Sequence, residues 1–296
     1  MREEIKWFNE TLNFPQVHGR NILAKLNRFQ NLSSALRTQL PDVIGFYKKW
    51  KEGNEKLEGY SKEVIKQRVD WLNKYKKAIE SAEFSAQSKF HSSVVEEFLY
   101  YLFKDLLAEL NRKARDAEEK EEKEGEKKEE EKIRLGGIRA YSNLYFAPED
   151  FISFIRKPSM KINEKDQDFA IYKAILIKAD SEEKSINVPV VSIECKTYID
   201  KTMLEGSIAT AEKIKSGNPY CLFIVVTEWY DVSYAVDPVY SRIDQIYVLR
   251  KQKRRSETVQ PINFEVAYDL FSFVRHHLER SWSGVEQKLL AEGKIL

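Results

Sequence analysis

Two charged side chains close an otherwise apolar run in Val190-Val191-Ser192-Ile193-Glu194-Cys195-Lys196. Alternate side chains of a strand share a face, so Glu194 and Lys196 project together while Ile193 and Cys195 turn to the other, apolar face. Holding two charges at the end of a buried strand costs desolvation energy, which a metal ion or a substrate phosphate offsets. Upstream, Lys165-Asp166-Gln167-Asp168-Phe169-Ala170-Ile171 opens a second apolar run. If the two runs pair antiparallel around a turn near residue 183, Asp168 lands beside Glu194 and Lys196. Two carboxylates and an ammonium then converge. Carboxylate and water oxygens are the ligands that Mg²⁺ prefers, and a substrate phosphate completes its shell. Such an ion polarises a phosphoryl oxygen, while a lysine stabilises or orients the attacking hydroxide. Glu and Lys two apart are commonplace in a chain this rich in charge, so the weight rests on the neighbouring Asp. Asp166 shares a face with Asp168 if its strand begins early. Asp150, in Pro148-Glu149-Asp150, lies far upstream of any expected pairing. Asp168 is the favoured acid.

The elements that must position these residues follow from periodicity. About the first 85 residues are helical in pattern. Ser61 caps a helix whose apolar positions Val64, Ile65, Leu72, Tyr75 and Ile79 recur at helical spacing. Lys62, Lys66, Lys76 and Lys77 are expected on its opposite side, as a solvated face or as phosphate contacts. Residues 90–110 form a second amphipathic helix along Val95, Leu99, Leu102 and Leu106. It runs into residues 112–132, almost wholly Glu, Lys, Arg and Asp, which predict an exposed helix extension or a disordered insertion.

After Gly136-Gly137 the pattern changes to strands, 169–178 and 188–196, with the polar residues 179–187 as their turn. A helix over 202–215 stops at Gly217-Asn218-Pro219. A buried strand at 220–227, a fourth at 245–250 and a closing helix at 264–278 complete the order. The expected class is α/β (α+β), a mixed central sheet flanked by helices, with a helical region at the N-terminus. The expected division is 1–85, a helical region, and 86–296, a core holding these acids with a charged insertion at 112–132.

Asp168, then Glu194-Cys195-Lys196 on a following strand, then a helix and a buried strand, resembles the PD-(D/E)XK nuclease core. The run from Ser192 through Lys196-Thr197-Tyr198-Ile199-Asp200 to Glu205-Gly206 is similar to Type II restriction endonucleases of the BbvCI-like group. The similarity continues through Thr227-Glu228-Trp229-Tyr230 and Tyr240-Ser241-Arg242-Ile243-Asp244-Gln245, and spans roughly residues 85 to 252. The superfamily motif is weakly specific; the long run around it is much more so. The resemblance implies Mg²⁺-dependent hydrolysis of double-stranded DNA at a short site, leaving 5′-phosphates, by a homodimer or by two related subunits. Asp168 and Glu194 would be the metal ligands. The superfamily often adds an acid on the first core helix, where both Glu96 and Glu97 qualify. Glu96 borders the apolar face and is favoured, while Glu97 is expected to point away from it.

Other features add little. With a net charge of +2, any nucleic-acid footprint must be local. Lys251, Lys253, Arg254 and Arg255 are the densest basic cluster and the expected DNA-phosphate contact. His18, His91, His276 and His277 show no metal-ligand spacing, and His91 is expected in the core. No phosphate-cradling glycine loop is present. Cys195 and Cys221 suit a reducing, cytoplasmic setting. No signal-peptide pattern opens the chain, and its longest apolar run, 220–226, is too short to span a bilayer. A soluble intracellular protein is expected.

Overall fold

The computed structural model of the chain describes residues 2–80, 84, 88–121, 132–156, 159–179, 182–280, 282 and 285–293. Helices α1 (Arg2–Thr11), α2 (Val17–Asn27), α3 (Ser34–Glu55) and α4 (Lys62–Ile79) precede the long α5 (Ser88–Glu121). A sheet follows: β1 (Ile133–Phe146), β2 (Met160–Ala179), β3 (Glu182–Ile199), β4 (Leu222–Tyr230) and β5 (Gln245–Val248). The short α6 (Phe151–Arg156) joins β1 to β2, α7 (Lys201–Gly217) joins β3 to β4, and α8 (Phe264–Glu279) and α9 (Val285–Glu292) end the chain. Within the charged stretch 112–132, the segment 112–121 continues α5, and 122–131 lie outside the described residues.

The strands lie in chain order, antiparallel from β1 to β3 and parallel from β3 to β5. One face buries Ile193, Cys195, Ile224 and Val226 against α5 and the N-terminal helices, so a single apolar core runs from Phe8 to Val274. The other buries Phe223 and Val225 under Leu204, Ala211 and Ile214 of α7. Asp200 caps α7 by accepting from Met203 N at 2.8 Å. The far end of α7 packs so closely on β1 that a Cβ at Gly217 would run into the Ser142 backbone.

Several expectations change. The expected turn at 179–187 is mostly strand, because pairing continues to Ala179↔Glu182 and keeps Ile186 buried. Asp168 therefore lies inside β2, eight residues past its start, rather than at a strand opening. β1 was not anticipated; Gly136, at φ 135°, and a bulge between Gly136 and Ile138 interrupt its alternation. Asp150 is not remote from paired strands, since it sits in the β1–β2 connection and accepts from Ser153 N at 2.7 Å as the cap of α6.

Lys76 corrects the expected lysine face. It is buried and pairs with the fully buried Glu228 at 2.6 Å, while Lys62, Lys66 and Lys77 are exposed. Arg250 holds the other Glu228 oxygen at 2.9 Å and also reaches Glu80. His91 is buried beside Lys76, at 3.3 Å, and reaches the Phe84 carbonyl at 3.0 Å. Burial alone would raise the Glu228 carboxyl, but the two cations outweigh it and hold it low. Removing one member of such a buried set typically costs about 3–5 kcal/mol, because the remaining charge loses its partner. The network thus fixes α4 to the carboxyl end of β4. No described helix is long and apolar enough to cross a membrane.

Candidate active site

β2 and β3 pair with Phe169 opposite Ile193, so Asp168 stands opposite Glu194 one step along the ladder. Phe169 and Ile193 enter the core, which turns Asp168 and Glu194 to the opposite face. Lys196 lies two residues beyond Glu194 and reaches both acids, 3.7 Å to Asp168 Oδ2 and 3.6 Å to Glu194 Oε2. The three side chains are 37%, 11% and 30% exposed for Asp168, Glu194 and Lys196, so the cluster is sheltered yet open to a ligand.

Each carboxylate is held through one oxygen. Cys195 N donates to Asp168 Oδ2 at 2.9 Å, and Ser207 Oγ donates to Glu194 Oε2 at 2.5 Å. Ser207 is a neighbour of the candidate site that sequence reasoning missed. Its signal was a serine within the buried α7 stripe Leu204, Ser207, Ala211, Ile214. Burial raises the Asp168 carboxyl despite the nearby Lys196 ammonium. Burial alone would lower Lys196, but the charges of Asp168 and Glu194 outweigh it, and the ammonium is held above its ordinary value.

The two candidate acids of α5 face different partners. Glu96 is pushed up to about 8, first by burial and then by the charge of Asp168, with Lys196 opposing. Glu97 does not point away from the core. It is fully buried, accepting from Gly19 N at 3.0 Å, Tyr47 OH at 2.8 Å and Tyr101 OH at 3.2 Å. It ties α5 to α2 and α3.

Burial lifts Glu97 from 4.5 to about 7. A raised carboxyl favours folding below its unfolded value, and that contribution is lost as pH rises through the folded value. The native chain is therefore expected to lose about 3 kcal/mol relative to Glu97→Gln between roughly pH 4.5 and 7. Urea melts of both proteins across that range check it; parallel pH profiles would show that Glu97 folds as the anion.

Asp166 stands apart. Its side chain is 83% exposed and pairs with Arg139 at 3.3 Å. The basic cluster lies toward the carboxyl ends of β3 and β4: Lys253 makes a backbone bridge to Tyr230 at the end of β4 and sits 3.8 Å over the Tyr234 ring. Arg254 sits 3.8 Å over Tyr198, two residues beyond Lys196. Lys251 takes a left-handed φ of 51° as the chain turns after β5, and Arg255 is exposed.

A divalent cation fits the donor set. Among the described residues no three acidic, His or Cys side chains form a metal cage on their own. Mg²⁺, however, keeps several waters and needs only one or two carboxylates plus substrate phosphates. Asp168 and Glu194 supply that number, and Glu96, raised first by burial and then by the charge of Asp168, is a further acid near them.

The Bpu10I restriction endonuclease family model matches residues 125–269, a segment containing Asp168, Glu194, Lys196 and the basic cluster. Just under half of the chain is thus similar to the Bpu10I restriction endonuclease family. Its enzyme class is accordingly site-specific deoxyribonuclease. The matched segment excludes α1 to α4 and Glu96, so the family match by itself gives those parts of the chain no role. A solved structure described as the native BbvCI A2B2 tetramer at low resolution is similar in fold, with a TM-score of 0.64 at 20% identity. The likeness covers 91% of this chain and 98% of that one, N-terminal helices included. Comparison with curated proteins gives no significant match.

Proposed function

We propose that the chain is a Type II restriction endonuclease that hydrolyses double-stranded DNA at a short specific site, with Mg²⁺ as cofactor and 5′-phosphate ends as product. The observation that carries this reading is the convergence of Asp168, Glu194 and Lys196 at adjoining strand positions within the matched segment. Asp168 and Glu194 would hold the metal, which when bound supplies Lewis-acid polarisation of the scissile phosphate. Cys195 N–H and Ser207 keep the two carboxylates in place, so less of their ordering is left to the moment of binding. Lys196, cationic at neutral pH, faces the charge that develops on the phosphate and orients the attacking water. Glu96 is the further acid of this reading, its carboxyl raised first by burial and then by the charge of Asp168. Lys251, Lys253, Arg254 and Arg255 grip the DNA backbone next to it.

Residues 1–85 are the recognition or dimerisation part of this reading, and 86–296 its nuclease core. A second copy or a related subunit would cut the other strand, as the A2B2 composition of the BbvCI structure suggests by analogy. The exposed apolar residues Phe151, Ile152, Phe154 and Ile155 of α6 support such an association. The proposed compartment is the cytoplasm, where Cys195 and Cys221 stay reduced.

Substrate preference tests the reading. Intact duplex plasmid should be cut in Mg²⁺ into discrete fragments, by this chain alone or together with a related subunit. A single substituted base pair in the site should weaken binding by about 1–3 kcal/mol. Preference for flaps or junctions, with no discrete duplex fragments under either condition, would replace it with a structure-selective nuclease.

A further inference from the structure

Between α3 and α4, away from the catalytic cluster, lies a cavity of about 490 Å³. That is within the roughly 300–1,000 Å³ of small-molecule pockets. Its walls are aromatic. Trp71 lies flat on α3, so close that a Cβ at Gly53 would run into its ring. Phe46 is 44% exposed at the other side, and Trp50 lines the cavity between them. Trp50 is itself fully buried, stacked on Tyr75 with centroids 5.0 Å apart, and its indole Nε1 has no hydrogen-bond partner. An unpartnered buried donor is rare enough to need an explanation.

The rim is cationic. Lys49, Lys74 and Lys77 line the cavity, and among its described lining residues there is no acid. All three are exposed; Lys74 rests 4.6 Å over the Trp71 ring and Lys49 5.6 Å over Phe46. Flat aromatic walls with lysines at the mouth match a ligand that alternates planar rings with negative charge. An aliphatic peptide would use the walls and leave the lysines idle. Nucleic-acid strands use both, because bases stack on aromatics while the backbone follows the cations. The cavity also has a structural link to the nuclease sheet, since Lys76, on the same turn of α4 as Lys74 and Lys77, is the residue that anchors Glu228.

We propose that this cavity binds an unpaired nucleobase of a DNA strand, which displaces the Lys74 and Lys49 ammoniums from over the Trp71 and Phe46 rings and stacks there, while Lys49, Lys74 and Lys77 take the flanking phosphates. The inference rests on the DNA-cleaving function in that it takes the partner to be DNA. It adds a second contact site outside the matched family segment, within residues 1–85.

The probe is a fluorescein-labelled twelve-residue oligothymidylate, titrated against the full chain in EDTA so that no cleavage intervenes. Trp71→Ala is expected to weaken binding roughly 10-fold, within the weight of one base–aromatic stack. Lys74→Gln/Lys77→Gln, at exposed positions, should flatten the dependence of log K on log salt by about 1.4, or 0.7 for each lost phosphate contact on a single strand. Thermal melts verify that each variant is folded, and Phe46→Ala, also at an exposed position, repeats the stacking test if Trp71→Ala does not fold. Unchanged affinity in the folded variants overturns the proposal. So does an apolar dye such as anilinonaphthalene sulfonate that binds at Trp71 and is not displaced by the oligonucleotide. The two readings fail separately, because binding in EDTA needs no catalysis and plasmid cleavage needs no single-strand binding.

Discussion

Asp168→Ala and Glu194→Ala are each expected to abolish plasmid cleavage in Mg²⁺ while leaving the fold intact. In the proposed site two carboxylates hold the cation, and among the described residues no cage of three acidic, His or Cys side chains could replace them, so losing either would remove half of that proposed hold. The structural cost is smaller. Asp168→Ala deprives Cys195 N of an acceptor and Glu194→Ala deprives Ser207 of one, each about 1–3 kcal/mol if water does not replace it. Circular dichroism melts should therefore show folded proteins with slightly lower midpoints. Asp166→Ala is the internal comparison and should be much milder, because that side chain is exposed and engages only Arg139 among the acid–base pairs described. Near-normal cleavage by Asp168→Ala or Glu194→Ala would remove that residue from the metal site.

Lys196→Ala is expected to slow cleavage by roughly 10²–10⁴-fold, the usual weight of a positioned charge-stabilising or proton-handling group. The loss should fall on the rate rather than on specific DNA binding, which Ca²⁺ in place of Mg²⁺ allows to be measured without cutting. Because Asp168 and Glu194 hold the Lys196 ammonium above its ordinary value, it stays charged through neutrality. Lysine ionisation should then put no limb on the pH–rate profile between about pH 6 and 9. If the alanine variant lost specific binding as severely as rate, Lys196 would be a substrate-holding residue instead.

The convergence of Asp168, Glu194 and Lys196 was legible because its signals are local. Alternation placed Glu194 with Lys196, and antiparallel pairing of two apolar runs brought Asp168 to them, even though the strands extend well beyond the expected limits. β1 was not legible, since two consecutive glycines and two register shifts break its period. The buried ion network was hidden for a different reason. Lys76 looks like any helix-surface lysine until Glu228, 152 residues away, is packed beside it. Glu96 and Glu97 show the limit of helical periodicity. An amphipathic helix packed on one side leaves one face free, but α5 is covered both by the sheet and by α2. The face taken as outward for Glu97 is therefore core. Ser207 is intermediate, a polar residue within an apolar stripe, which flags a polar partner without saying which one.

Mapping of product ends tests the central claim most directly. Plasmid DNA is incubated in Mg²⁺ with this chain, with and without a related subunit, and every new end is sequenced and its terminus assigned. The account predicts ends that recur at one short sequence, carry 5′-phosphates, vanish in excess EDTA and disappear with Asp168→Ala. Ends scattered without sequence preference, or cutting that persists undiminished in EDTA or in the Asp168→Ala protein, would contradict it.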